Sequence, residues 1–368
     1  MTLGQIKTYT RKLFLFKSIH PIRLLKQVYE FPIDYFIKKG KSYPPFHIVL
    51  FITLRCNASC KMCNLAEYLN KDRDELSLKE IEKFIKSVKK FRPSIILFGG
   101  EPLLRKDFLQ ILALVKENNL SCGIFTNGTL LDEKKIKEMV RLGIDFIVFS
   151  LQGPEKIHDR ILRVPGAYKK MVKNISLYQK YRKSGNKSII HATITEFNIN
   201  HLEDIIKIGE EHNVDLVRFG HPTFFTKNDI RAHDVFVKTV MPGEKIEGIS
   251  YSYNPEKMKS TFIKNIRKIK RNKKRHKVPI AFTPELTDEE LKSWYSSSFK
   301  SKRKCYWVWR ALFVFPNGDV YPCESLHFKI GNIKKQSFLK VWNNKKYMKL
   351  RRVLKKGLFP ACARCCKL

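Results

Sequence analysis

Residues 47–65 read HIVLFITLRCNASCKMCNL. Ile48 to Leu54 form an uncharged run of apolar, β-branched and aromatic residues, the pattern of a strand buried on both faces. Three cysteines follow, Cys56, Cys60 and Cys63, in the spacing C-x3-C-x2-C. Three thiolates on so short a loop fit three corners of a cubane iron–sulfur cluster. The alternative is a structural zinc site, which wants a fourth Cys or His to close its tetrahedron. The local sequence supplies none, because His47 stands at the other end of the strand. A three-ligand set leaves one metal position open to substrate or cofactor.

Outward from this strand a rhythm runs on. The strand-like runs SIILFGG, CGIFTNG, IDFIVFSLQG, SIIHATITEF and VDLVRFG alternate with amphipathic helical patterns such as LSLKEIEKFIKSVKKF. Six short apolar strands alternating with helices predict an α/β fold with a parallel sheet. Six units fall short of a full barrel, so a partial, TIM-like (β/α)6 barrel or an open sheet is expected. Functional groups then belong at the carboxyl ends of the strands. The cysteines follow the first strand, Gly99-Gly100-Glu101-Pro102 the second, Thr126-Asn127-Gly128 the third, and Ser150 to Gly153 the fourth.

The expected division is a basic amphipathic segment over 1–45, the core over 46–250, a basic linker or insertion over 251–304, and a small C-terminal domain over 305–368. In 1–45, nine Lys and Arg face only Glu30 and Asp34, interleaved with Leu, Ile, Phe and Tyr. No apolar run there approaches the ~18 residues that cross a bilayer. The pattern suits a peripheral membrane contact or a partner, and equally a helix packed on its own domain. The net charge of +38 is either lysine-rich background or an attraction for phosphate-bearing partners. Charge alone does not make nucleic acid an expected partner. Hydrophobic content of 43% excludes a disordered chain. Of the nine cysteines, three cluster at 56–63 and three at 362–366, with Cys122, Cys305 and Cys323 spread between, unlike a disulfide scaffold, and the start MTLGQIKTYTRK lacks a secretory pattern. A cytoplasmic, metal-binding chain is expected, membrane-peripheral if the basic segment docks.

Cys56, Cys60 and Cys63 after a first strand, with GGEP and TNG on the next two strand ends, resemble the signature of the radical S-adenosylmethionine (SAM) enzymes. The stretch SLQGPEKIHDRILRVPGAY (150–168) is similar to a further segment of that family. The resemblance spans roughly 47–220. It implies a [4Fe–4S] cluster held by the three cysteines and chelated by SAM, whose reductive cleavage gives a 5′-deoxyadenosyl radical that abstracts hydrogen. It also implies that Gly99, Gly100 and Glu101, with Pro102 beside them, meet the SAM amino group. Ser150 and Arg163, with Arg160 as the other candidate, would hold the SAM carboxylate, and Asn127 would lie near the ribose or adenosyl group. Met62 stands where the family usually has an aromatic, and Gln152 where it has aspartate.

After Cys305, FVFPNGDVYPC predicts a hairpin around Asn317-Gly318. With GNI (331–333), Trp342-Asn343, Tyr347, Arg351 and the final cysteines, this region resembles the auxiliary-cluster extension called SPASM, or its shorter twitch relative, a hairpin plus helix. The resemblance implies one auxiliary [4Fe–4S] cluster on Cys305, Cys323, Cys362 and Cys365, with Cys366 able to replace Cys365 and zinc as the competing metal. Cys122 reads as a small core residue. The implied enzyme is an oxidoreductase-type radical SAM enzyme fed by a ferredoxin- or flavodoxin-type donor. Its substrate is expected to be small or lipid- or sugar-linked. Alternatives are a peptide or protein maturase and a non-catalytic iron–sulfur electron-transfer protein.

Overall fold

Strand β1 (His47–Thr53) forms where the sequence places it, and every residue from Ile48 to Thr53 is buried. The computed structural model describes residues 29–368 apart from 72–73, 249–254 and 297. Strands β2 (Ser94–Gly99), β3 (Cys122–Thr126), β4 (Phe146–Phe149), β5 (Lys187–Thr193) and β6 (Leu216–Gly220) follow, each parallel to its predecessor. The returning helices cover one face. In Leu78–Val88, Ser77 and Glu80 close a capping box, and Ile81, Phe84, Ile85 and Val88 face the sheet side. Cys122 is a core residue at the start of β3.

The described residues of 251–304, expected as a basic linker or insertion, form a helix, a sheet strand and a second helix. After the two-residue strand β7 (Glu247–Gly248), helix Lys259–Asn272 buries Phe262, Ile266 and Ile269 despite its basic outer face. Strand β8 (Ile280–Thr283) pairs parallel with β6. Helix Asp288–Trp294 then ends on Trp294 and Tyr295, both fully buried. The apolar spacing, not the charge, decides the fate of this stretch.

The C-terminal region shares the same sheet. β9 (Ala311–Val314) pairs parallel with β1, and β10 (Asp319–Tyr321) turns back on β9 through Asn317-Gly318, with Gly318 at φ 84°. β11 (Leu326–His327) pairs with β7, and β12 (Gly331–Asn332) with β10. The main sheet runs β12-β10-β9-β1-β2-β3-β4-β5-β6-β8. Its parallel part is therefore longer by β8 and β9 than the six strands expected. Among the described residues no ladder joins β8 to β9, so the barrel is partial.

Helix Lys345–Lys356 fastens this region to the start of the core. Arg351 is fully buried between the rings of Trp342 (4.2 Å) and Tyr347 (4.0 Å), and donates to the carbonyls of Val308 and Gly40. Asn343 exchanges two hydrogen bonds with the Ser42 backbone, and Trp342 Nε1 donates to Tyr43 O. Most of the basic N-terminal segment, residues 1–28, lies outside the described residues. Its described end turns through Ile33–Ile37, burying Asp34 and Tyr35 and exposing Phe36 and Ile37. Among the described residues no helix is long and apolar enough to cross a membrane.

Candidate active site

The cysteine loop is tied down on three sides. Asn70, left-handed at φ 55°, accepts from the Cys56 N–H (2.8 Å) and donates to the Cys56 carbonyl (3.0 Å). Ser59 and Lys61 N–H groups donate to Leu162 O and Ile161 O. Asn57 donates to Thr129 Oγ1 and accepts from Asn127 Nδ2. Cys56, Cys60 and Cys63 are half-buried and wall one cavity of about 780 Å³. Burial pushes the Cys56 thiol up to about 11 and Cys60 up to about 12, and nearby Cys63 adds to both. A thiolate set in this setting needs positive charge beside it, which a bound iron–sulfur cluster supplies and which suits the donor set.

The two glycines of GGEP serve this loop by close approach. The Gly100 N–H donates to Thr53 O and the Glu101 N–H to Arg55 O, so the end of β2 lies against the chain leading to Cys56. A Cβ at Gly99 would come within 2.1 Å of Thr53 O, and one at Gly100 within 2.2 Å of Arg55 O. Both glycines line the cavity; Glu101 and Pro102 do not. The Glu101 carboxylate is instead spent on the third strand end, accepting from Thr126 Oγ1 (2.8 Å), Asn127 N–H (2.7 Å) and Leu103 N–H (3.2 Å). Burial nevertheless holds its carboxyl up at about 7. The side chain thereby joins two strand ends.

Asn127 lines the cavity, but its side chain is committed to Thr129 and Asn57. Ser150 lines the cavity, and among the described residues its hydroxyl makes no hydrogen bond. Met62 is on the wall and packs with Ile161 and Leu162. Gln152 links β4 to β5, accepting from Thr193 N–H (3.0 Å), while its own N–H donates to His158 Nδ1 (3.0 Å). That bond needs neutral His158, which burial ensures by pushing its pKa down to about 4. Arg163 is exposed at the left-handed end of its helix, and exposed Arg160 lies over the Phe197 ring; neither reaches the wall. The arginine that does is Arg218, in the middle of β6. Its signal was a charge within the apolar run VDLVRFG.

In the C-terminal region Cys305, Cys323, Cys362 and Cys365 are buried. Burial raises Cys323 to about 12, with Cys305 adding to it, and Cys362 feels both of them. Cys365 accepts from Ser325 Oγ (3.6 Å) and Lys367 N–H (3.4 Å). Cys366 stands beside Cys365, lines the cavity and donates to Glu324 Oε1 (3.2 Å).

Residues 50–208 match the radical SAM superfamily model, and residues 305–366 match that of the SPASM iron–sulfur cluster-binding domain. The AdoMet-dependent heme synthase of Oleidesulfovibrio alaskensis is 24% identical over 306 residues, 81% of this chain and 74% of that one. The pre-heme d1 synthase of Dinoroseobacter shibae is 27% identical over 198 residues, 54% of this chain and 48% of that one. Native anSMEcpe with bound AdoMet shares the fold at a TM-score of 0.62 and 19% identity, over 87% of this chain and 91% of that one. The chain belongs to the radical SAM superfamily with a SPASM extension, and so works with a [4Fe–4S] cluster, SAM and an auxiliary iron–sulfur cluster.

Proposed function

We propose that Cys56, Cys60 and Cys63 hold the [4Fe–4S] cluster, that Gly99, Gly100 and Ser150 seat SAM beside it, and that hydrogen is taken from a small-molecule substrate in the barrel. The observation that carries this is the cavity that the three cysteines, the two glycines and Ser150 share. Its wall joins the three cysteines to inward-facing residues of successive strands, among them Ile96, Phe98, Phe125, Val148 and Phe313. When bound, the cluster and SAM together supply the one-electron chemistry that yields a 5′-deoxyadenosyl radical. The chain's own part is to hold the loop rigid through Asn70, Asn57 and the Gly99-Gly100 approach, and to keep water from the reacting carbon with aromatic walls. Cys305, Cys323, Cys362 and Cys365 would hold the auxiliary cluster, leaving Cys366 to the cavity wall. Placing that cluster beside the cavity favours net oxidation over rearrangement. The names of the heme and pre-heme d1 synthases also support a small-molecule substrate. A small ferredoxin- or flavodoxin-type protein would deliver the electron.

Anaerobically reconstituted protein given dithionite and SAM is expected to form 5′-deoxyadenosine, and Cys60→Ala to form none. Full iron loading without 5′-deoxyadenosine would overturn the enzymatic reading. If 5′-deoxyadenosine formation is stimulated by peptide fractions and not by small-molecule extracts, the substrate is a peptide instead.

A further inference from the structure

Arg218 faces the cavity from the middle of β6, beside His191 of β5. Its Nε donates to His191 Nδ1 (3.1 Å), and the Phe125 ring lies 5.3 Å from its guanidinium carbon. The imidazole is held neutral, since burial pushes its pKa well down. Two neighbours thus fix the plane of the guanidinium. Among the described residues nothing accepts from its two terminal nitrogens. Glu324, the acid beside this wall, is engaged by Lys367 Nζ (3.3 Å) and Cys366 Sγ (3.2 Å). A half-buried guanidinium left without an acceptor in an apolar wall favours a ligand that pairs with it. Arg218 and Lys367 against Glu324 leave one positive charge on this part of the wall, which matches a monoanion better than a phosphate dianion.

We propose that Arg218 binds a carboxylate of the substrate, so that the substrate is an acid with an apolar body. The inference rests on the reading of this cavity as the active site. A planar fork whose Nη1–Nη2 edge is free matches a carboxylate bidentately. SAM also carries a carboxylate, but the level differs. Gly99, Gly100 and Ser150 stand at or beyond strand ends, whereas Arg218 is two residues short of the end of β6. The charges around it, Glu324 and Lys367, come from the C-terminal extension.

Equilibrium dialysis of reconstituted protein with SAM tests this, using 1-pyrenebutyrate and its neutral counterpart 1-pyrenebutanol. Wild type is expected to prefer the carboxylate. Arg218→Gln should weaken pyrenebutyrate by about 30-fold, the scale of a charged hydrogen-bonded pair. It should leave the alcohol unchanged, and Arg218→Lys should recover part of the loss. Binding of radiolabelled SAM should move by less than about threefold. Absence of a carboxylate preference in wild type, including failure of both probes to bind, overturns the proposal without relying on any variant. A parallel loss of SAM affinity in Arg218→Gln assigns the arginine to SAM and also overturns it. Formation of 5′-deoxyadenosine, measured on the same preparation, reports on the radical SAM reaction separately.

Discussion

Gly100 shows how a short motif earns its residues. Its glycine is demanded by Arg55 O, 2.2 Å from where a Cβ would sit, and backbone cannot step aside as a side chain would. Gly100→Ala is expected to cost at least about 3 kcal/mol and to lower the iron retained on reconstitution, read from denaturant midpoints and iron assay. Gly357→Ala is the control: its backbone is extended at φ −172° and nothing lies within 4 Å, so its stability should hold or rise slightly. Glu101 gives a pH signature. Burial raises its folded-state carboxyl to about 7, above the unfolded value, so the folded state holds the extra proton. Its contribution is therefore largest at low pH and is lost as pH rises towards 7. Between pH 6 and 7 stability should fall by about 1 kcal/mol from this group and level off above, a slope absent in Glu101→Gln. The cysteines, GGEP and TNG were all legible as strand-end residues. What the sequence hid was direction: Glu101 turns to the TNG loop, Asn127 to its own loop and the cysteine loop, and the arginine facing the cavity is Arg218 rather than Arg163.

At the scale of elements, the six βα units were readable because each strand is a short apolar run and each helix has one apolar face. The seventh parallel addition was masked by charge. KNIRKIKRNKKRHK looks like a solvated run, yet Phe262, Ile266 and Ile269 recur at helical spacing and all are buried. Lysine and arginine stems extend from such a helix without entering the core, so a basic composition says little about packing. Trp294 closes the same unit. Trp294→Ala should cost about 3–5 kcal/mol, seen as a lower urea midpoint with an unchanged slope. A connector would lose far less.

Across the whole molecule, the C-terminal extension was legible as a cluster domain but not as part of the barrel sheet. The W-N-x3-Y-x3-R residues turn out to clamp Ser42, Tyr43 and Gly40 through Asn343, Trp342 and Arg351. Cys305→Ala is expected to leave about four of about eight irons per chain, by the four-iron stoichiometry of each cluster, while unfolding stays a single transition because one sheet spans both regions. The β1–β9 pairing has a further consequence in time. His47 pairs with Ala311, so the strand that presents the cysteine loop waits for its second neighbour until nearly the whole chain has been synthesised. Until then one of its edges is open to any other nascent strand. A premature stop before residue 305 should therefore yield insoluble material by sedimentation, not a soluble smaller enzyme, and cluster loading belongs after release from the ribosome.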